Sequence, residues 1–169
     1  MCASYIAEPA CLSDAPGISA MMQRSFGQLL AKDYDANVLE NALPMMTEAQ
    51  PDLLTGGTYF VVRNGRREVV GAGGWTDLSP VRGLGASGEG HVRHVAVDPS
   101  ALCQGVGRVL IEETIISAQS FGIGTLRCLS TFTAEPFYAA LGFERLHEVE
   151  LTFAPDVHFP AVEMRKVLN

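Results

Sequence analysis

Apolar and polar residues fall into two rhythms along this chain, and each rhythm predicts a different element. Val92–Val97 is a β-branched run and reads as a strand. Asp98-Pro99 closes it, because proline donates no ladder hydrogen bond and biases the residue before it away from helix. Past a short turn carrying Gly105 and Gly107, no breaker appears before Gly122, which predicts one long helix. Val106, Val109, Leu110, Ile111, Ile115 and Ile116 spread over most of its surface, leaving Arg108, Glu112 and Gln119 on the remaining face. That is the pattern of a helix lying on a sheet.

Helical spacing also links Ile18, Met21, Met22 and Phe26, with Asp14 as N-cap and Pro16 in the first turn of a helix running to about Phe26. Asp35 caps a second helix through Val38, Leu39 and Leu43, which Pro44 interrupts. Met45, Met46, Leu53 and Leu54 follow in a proline-punctuated region and read as core packing without an assigned element. The strand rhythm marks a short edge strand at Ser4–Ala7, ended by Pro9, then Thr58–Val62, Glu68–Trp75, Thr125–Leu129, Glu144–Phe153 and Val162–Val167.

Asn64-Gly65 signals a hairpin, since a type I′ turn needs positive φ at both central positions. Gly71, Gly73 and Gly74 weaken their strand and let something approach its backbone. Leu78–Gly90, with four glycines at 83, 85, 88 and 90, reads as a mobile loop. Thr133 caps a short helix over Ala134–Leu141, with Pro136 in the first turn and Gly142 as a left-handed C-cap. Pro155, Asp156 and Pro160 mark the turn between the last two strands. No repeat, low-complexity tract or linker divides the chain, so one α+β domain over residues 1–169 accounts for it.

Composition changes this picture little: 47% hydrophobic and 18% charged residues suit an ordinary soluble domain. The net charge of −7 argues against nucleic acid and anionic membrane surfaces and favours a cationic or neutral substrate. It leaves room for a local phosphate site built from backbone amides. No apolar run is long enough to cross a bilayer, and residues 1–9 lack the basic start and apolar core of a signal peptide. Cys2, Cys11, Cys103 and Cys128 are scattered without a C-x-x-C pair, so reduced thiols in a cytoplasmic setting are expected.

The candidate chemistry starts at the glycine turn. Strand, glycine turn and helix together form an anion holder, because the first amides of a helix lack intrahelical partners and carry the positive end of the dipole. A coenzyme pyrophosphate is the expected anion. No Lys-Ser/Thr follows the glycines, which argues against a Walker loop. Leu110 stands where a dinucleotide fingerprint needs a third glycine. His91, titrating near neutrality, is a candidate base, and Glu89 on the same strand face is a second; a structural histidine is the competing reading. His91 and His94 point to opposite faces, and Asp98, Glu112 and Glu113 form no converging cluster, so no metal is expected. Tyr138 reads either as a buried aromatic or as a phenol placed to act as an acid.

HVRHVAVDPSALCQGVGRVLIEE, residues 91–113, followed by a strand and PFYAALGF, residues 136–143, resembles the GCN5-related N-acetyltransferase superfamily. The likeness is most specific over Val92–Phe143. It implies a three-layer fold whose mixed, mostly antiparallel sheet of about six to seven strands carries helices on both faces. It also implies acetyl-CoA as co-substrate. Val95, Ala96 and Val97 would face the pantetheine arm, and Cys103, Gln104, Gly105, Val106, Gly107 and Arg108 would surround the pyrophosphate. Thr131 and Phe137 would complete the coenzyme site, and Tyr138 would protonate the departing thiolate. Cys103 would then lie at the phosphates, away from the thioester, and direct transfer needs no nucleophilic cysteine.

Two residues depart from the family pattern. Leu102 stands where the loop usually begins with Gln or Arg, with Gln104 two residues late, and His91 stands where many relatives carry a glutamate. The implied activity is acetyl transfer to a primary amine by direct attack in a ternary complex. A non-catalytic acyl-CoA-binding sensor is the alternative, and transfer of a longer acyl group is a third reading. The acceptor would be a small-molecule or peptide amine chosen by the first two helices and the Leu78–Gly90 loop. The last strands would offer an edge for a homodimer.

Overall fold

The architecture comes from a computed structural model that describes residues 4–79, 83–84 and 87–169. In chain order the elements are β1 (Ala7–Pro9), α1 (Ala15–Leu29), α2 (Ala36–Met46), α3 (Pro51–Thr55), β2 (Tyr59–Arg63), β3 (Val69–Thr76), β4 (Leu78–Ser79), β5 (Gly83–Leu84), β6 (Glu89–Val97), α4 (Val106–Ser120), β7 (Thr125–Ser130), α5 (Glu135–Ala140), β8 (Glu144–Ala154) and β9 (Val157–Val167). Seven strands form one sheet in the order β1-β2-β3-β6-β7-β9-β8, while β4 and β5 pair with each other as a separate ribbon. Every neighbouring pair in the sheet is antiparallel except β6 and β7. α1 and α2 cover one face, α4 and α5 the other, which is the three-layer arrangement expected.

Strand alternation sorts the core between the two faces. Tyr59, Val61, Ala72 and Ala96 meet Ile18, Met21 and Met22 of α1, while Phe60, Val62 and Val70 meet Val106 and Leu110 of α4. Each such fully buried aliphatic contributes about 1.5–3 kcal/mol. The glycines of β3 have a definite neighbour. A Cβ on Gly71 would lie 2.5 Å from Val106 Cγ1, and one on Gly73 would lie 2.8 Å from Val95 Cγ2, so α4 and a bulge in β6 are what approach.

Several expectations change at the level of single residues. α2 runs through Pro44 to Met46. The only intrahelical bond proline forfeits there is to the carbonyl of Glu40, an exposed residue whose oxygen water can satisfy. Pro160 lies inside β9, on a stretch that pairs with β8 alone, so its missing N–H falls on an unpaired side. The β2–β3 connection is not a type I′ turn. Asn64 Oδ1 accepts from the amides of Arg66 (2.9 Å) and Glu68 (3.0 Å), and the positive φ, 64°, falls on Arg67.

Other boundaries shift in the same way. The first edge strand is β1 at Ala7–Pro9, and α1 continues to Leu29. Leu53 and Leu54 are buried from α3, whereas Met45 is exposed. β6 begins at Glu89, part of what reads from sequence as a loop lies in the β4–β5 ribbon, and residues 80–82 and 85–86 of that loop fall outside the described ones. Ile116 is 60% exposed, so α4 is covered less completely than its apolar count suggests. Among the described residues no side chain caps α5 directly: Thr131 Oγ1 accepts from Ala134 N at 3.1 Å in the turn before the helix, while Thr133 donates to Asp33. Gly142 (φ 91°) closes α5 as expected.

Candidate active site

β6 and β7 pair over Glu89–Thr125, Gly90–Leu126 and His91–Arg127, and there the ladder ends. β6 continues to Val97 with β3 on its other side, and β7 continues to Ser130 with β9 on its other side. The edge of β6 from Val92 and the edge of β7 from Cys128 are therefore left without a strand between them. Their donors and acceptors call for water or an extended ligand. β6 also bulges opposite Gly73, where His94 takes a left-handed φ of 47°. The Tyr59 hydroxyl donates to the carbonyl of His94 at 2.8 Å and so fixes that peptide plane. In a trans peptide the N–H of Val95 must then point the opposite way.

At the wide end of the split lies the glycine turn. Cys103 (φ 58°) and Gly105 (φ 88°) are both left-handed and deliver the chain into α4 at Val106. The amides of Val106, Gly107 and Arg108 belong to the first turn and have no intrahelical acceptor. Gln104 is pinned, accepting from the Tyr5 hydroxyl at 2.8 Å and donating to Ser100 O at 3.2 Å. Arg108 is largely exposed and reaches Glu112 only at 3.8 Å. A Cβ on Gly107 would sit 2.9 Å from the Phe137 ring and 3.6 Å from Val97 Cγ2. Glycine is thus what lets α5 close onto the start of α4. Val95 packs among the residues around Trp75 and Ile111, while Ala96 is buried towards α1.

The narrow end of the split gathers titratable groups on both faces. On the α5 face Tyr138 is buried beside Cys128, which lies one residue past the last β6–β7 pair. Burial, reinforced by Cys128, pushes this phenol well above its ordinary pKa, and burial pushes the Cys128 thiol up to about 12. On the α1 face stands His91, buried, with Nε2 making no hydrogen bond among the described residues. Burial lowers its pKa; Glu89 pulls the other way, and Arg127 and Arg93 add to the lowering. Burial also drives His94 down to about 4, with Arg93 contributing.

Around His91 the charges are mostly matched. Arg127 Nε lies 3.1 Å from Glu89 and its Nη1 3.1 Å from Glu163, and Glu163 also meets His147 at 3.2 Å. Glu89 is therefore held as an ion-pair partner of Arg127, while its charge still acts on His91. Thr131 stands at the end of β7 with its hydroxyl accepting from the amide of Ala134 in the turn before α5.

The sequence reading passed over Tyr59, Arg93, Arg127 and Glu163. Arg93 alone of these carried a local signal, as the last of three polar residues at a spacing of two, Glu89-x-His91-x-Arg93, within an apolar strand. Among the described residues no group of three or more His, Cys, Asp or Glu gathers as a metal site, and no helix is long and apolar enough to cross a membrane. A separate cavity between α1, the β2–β3 hairpin and Asp98 holds Arg24–Asp98 and Arg63–Asp14 ion pairs, which neutralise each other.

No curated protein matches the sequence. The chain resembles a GCN5-related N-acetyltransferase from Rhodopseudomonas palustris at 19% identity and a TM-score of 0.82, over 99% of this chain and 98% of that one. It also resembles the PaiA N-acetyltransferase from Thermoplasma acidophilum, solved in complex with coenzyme A, at 12% identity and a TM-score of 0.72, over 98% and 99% of the two chains. The ribosomal-protein-S18-alanine N-acetyltransferase from Escherichia coli follows the same fold at 17% identity and a TM-score of 0.63, over 98% and 94%. These likenesses establish the fold. The sequence model of the acetyltransferase (GNAT) domain matches residues 55–145, over half of the chain. That stretch runs from the end of α3 to the start of β8 and builds both the split and its glycine turn, so this chain belongs to the GNAT acetyltransferase family.

Proposed function

We propose that this protein transfers the acetyl group of acetyl-CoA to a primary amine by direct attack in a ternary complex. The observation that carries the reading is the early end of the β6–β7 ladder, which leaves two unpaired edges converging on Tyr138 and His91 from opposite faces. Acetyl-CoA, bound there, supplies an acetyl thioester. The main chain of Val95, Ala96 and Val97 holds the pantetheine arm. The amides of Gly105 to Arg108 hold the pyrophosphate, on a turn shaped by Cys103 and Gln104, and Phe137 and Thr131 border it. The fit rests on the unspent β6 edge and on the open approach at Gly105, where a Cβ would meet nothing within 4 Å. Fixing both reactants in this way contributes several kcal/mol, on the order of 7 or more in well-oriented cases.

The N–H of Val95 stabilises the oxygen on which charge develops. His91, kept neutral by burial, takes the proton of the attacking amine, with Glu89 favouring the imidazolium through space. Tyr138, kept protonated by burial beside Cys128, gives its proton to the leaving sulfur. The acceptor is the amine of a small molecule or peptide and enters from the α1 face; neither nucleic acid nor membrane takes part. β8 forms the outer edge of the sheet and would take a second copy in a homodimer.

Thiol release from acetyl-CoA, followed with a thiol-reactive dye across a panel of primary amines, tests the reading. Amine-dependent release is expected. Coenzyme binding without release for every amine would favour the acyl-CoA sensor instead.

A further inference from the structure

Arg93 stands out among the arginines near the split. It follows His91 by two residues on the same face of β6 and directly precedes the bulge at His94. Its guanidinium is half-buried and, among the described residues, donates only to neutral oxygens, Thr76 Oγ1 at 3.1 Å and Gln50 Oε1 at 3.4 Å. Among the described residues no carboxylate lies within ion-pairing distance of it, whereas Arg127, Arg145 and Arg165 on neighbouring strands each have one. The remaining stretches, residues 1–3 and 79–86, contain no Asp or Glu in their sequence.

The titratable groups facing Arg93 do not supply the missing charge. Tyr59 is a buried phenol held neutral, and His91 and His94 are imidazoles whose protonation burial and Arg93 itself oppose. Burial lowers the pKa of Arg93, with Tyr59 only partly offsetting it. A cation drawn partly out of water without a counter-ion is a cost that structures seldom carry unless something else supplies the anion.

We propose that the acceptor amine carries a carboxylate and that Arg93 receives it, so that the substrate class is a free amino acid. The inference rests on the acetyl-transfer reading of this site, because it is His91 that places the amine. Residues two apart on one strand face stand about 6.6–6.8 Å apart. Two side chains at that spacing, imidazole and guanidinium, can converge on an amine and a carboxylate separated by a few bonds. A long polyamine or a protein lysine side chain offers no such anion. The whole chain is acidic, at −7, yet this face presents a local unneutralised cation, and the local charge governs recognition. A planar guanidinium also suits a carboxylate geometrically, through paired N–H donors.

The test is binding, with and without coenzyme A, of two matched sets of probes to the full chain: N-acetyl amino acids and their C-terminal amides. The acids are expected to bind about tenfold or more tightly than the amides, the scale of a charged hydrogen bond. Arg93→Gln, which can still bond Thr76, should remove that difference, and Arg93→Lys should keep part of it. Acids binding no better than amides to the native protein, including no binding of either, overturns the proposal without any variant. An acid preference that survives Arg93→Gln overturns it too. An acid preference that Arg93→Gln abolishes, in a protein that releases no thiol with any amine, upholds the carboxylate site while sinking acetyl transfer. Thiol release that ignores the carboxylate does the reverse.

Discussion

On the α4 face of the split, what matters is main chain and missing side chains: unspent strand edges, three helix amides, and Gly107 against Phe137. On the α1 face it is side chains in a defined order, with His91 among Glu89, Arg93, Arg127 and Glu163. A site built from backbone tolerates wide change in side chains, because every residue but proline carries the same amide. A site built from side chains changes its preference with one substitution. The first face suits a ligand common to a whole family, and the second suits whatever distinguishes one member from the next.

The largest effect should come from filling the backbone face. Gly107→Val places branched carbon into the Phe137 ring, and overpacking of this kind costs about 1–3 kcal/mol. We expect the thermal stabilisation by coenzyme A to disappear; full retention would show that α5 and α4 need not touch at this point. Next, Tyr138→Phe should lower turnover about a hundredfold while leaving coenzyme A affinity nearly intact. Unchanged turnover, read from the same thiol assay, would remove the phenol from the reaction.

A smaller loss, about tenfold in kcat/KM at neutral pH, is expected for His91→Gln. Because burial holds the native imidazole below its usual pKa, the base form persists below pH 6.5. The deficit of the variant should shrink as alkaline pH deprotonates the amine without help. A deficit constant across pH would mark His91 as structural. The smallest effect concerns Asp98, which links the two faces by accepting from Arg24 and from Ser100. Burial raises its pKa, but the Ser100 and Arg24 hydrogen bonds outweigh this and leave it below 3.8. Its contribution is therefore present above the unfolded value and lost as pH falls through the folded one. Asp98→Asn should cost about 1 kcal/mol in urea unfolding at pH 7, with the gap narrowing below pH 4.

The same division governs what could be read from sequence. Val92–Val97, Gly105 and Gly107, and the Phe137-Tyr138 pair were legible because backbone geometry demands particular residue types at close spacing. Arg127 and Glu163 were not, since they meet only when β7 and β9 align, and nothing local announces a partner so distant in the chain. Prolines misled for a related reason. Pro44 and Pro160 break the rule for their elements in the abstract, but Pro44 strands only an exposed carbonyl that water can reach, and Pro160 faces away from its one partner strand. Asn64 did organise its hairpin, through a side-chain oxygen in place of its own backbone angle.

The bulge at His94 has a consequence for how exactness is distributed in this molecule. A single phenolic proton, contributed by Tyr59 from two strands away, dictates the heading of the amide that follows. The aim of that donor is thereby delegated to a core residue that need never meet a ligand. Drift in the hydrophobic interior would therefore be felt as loss of catalytic accuracy before it was felt as loss of shape.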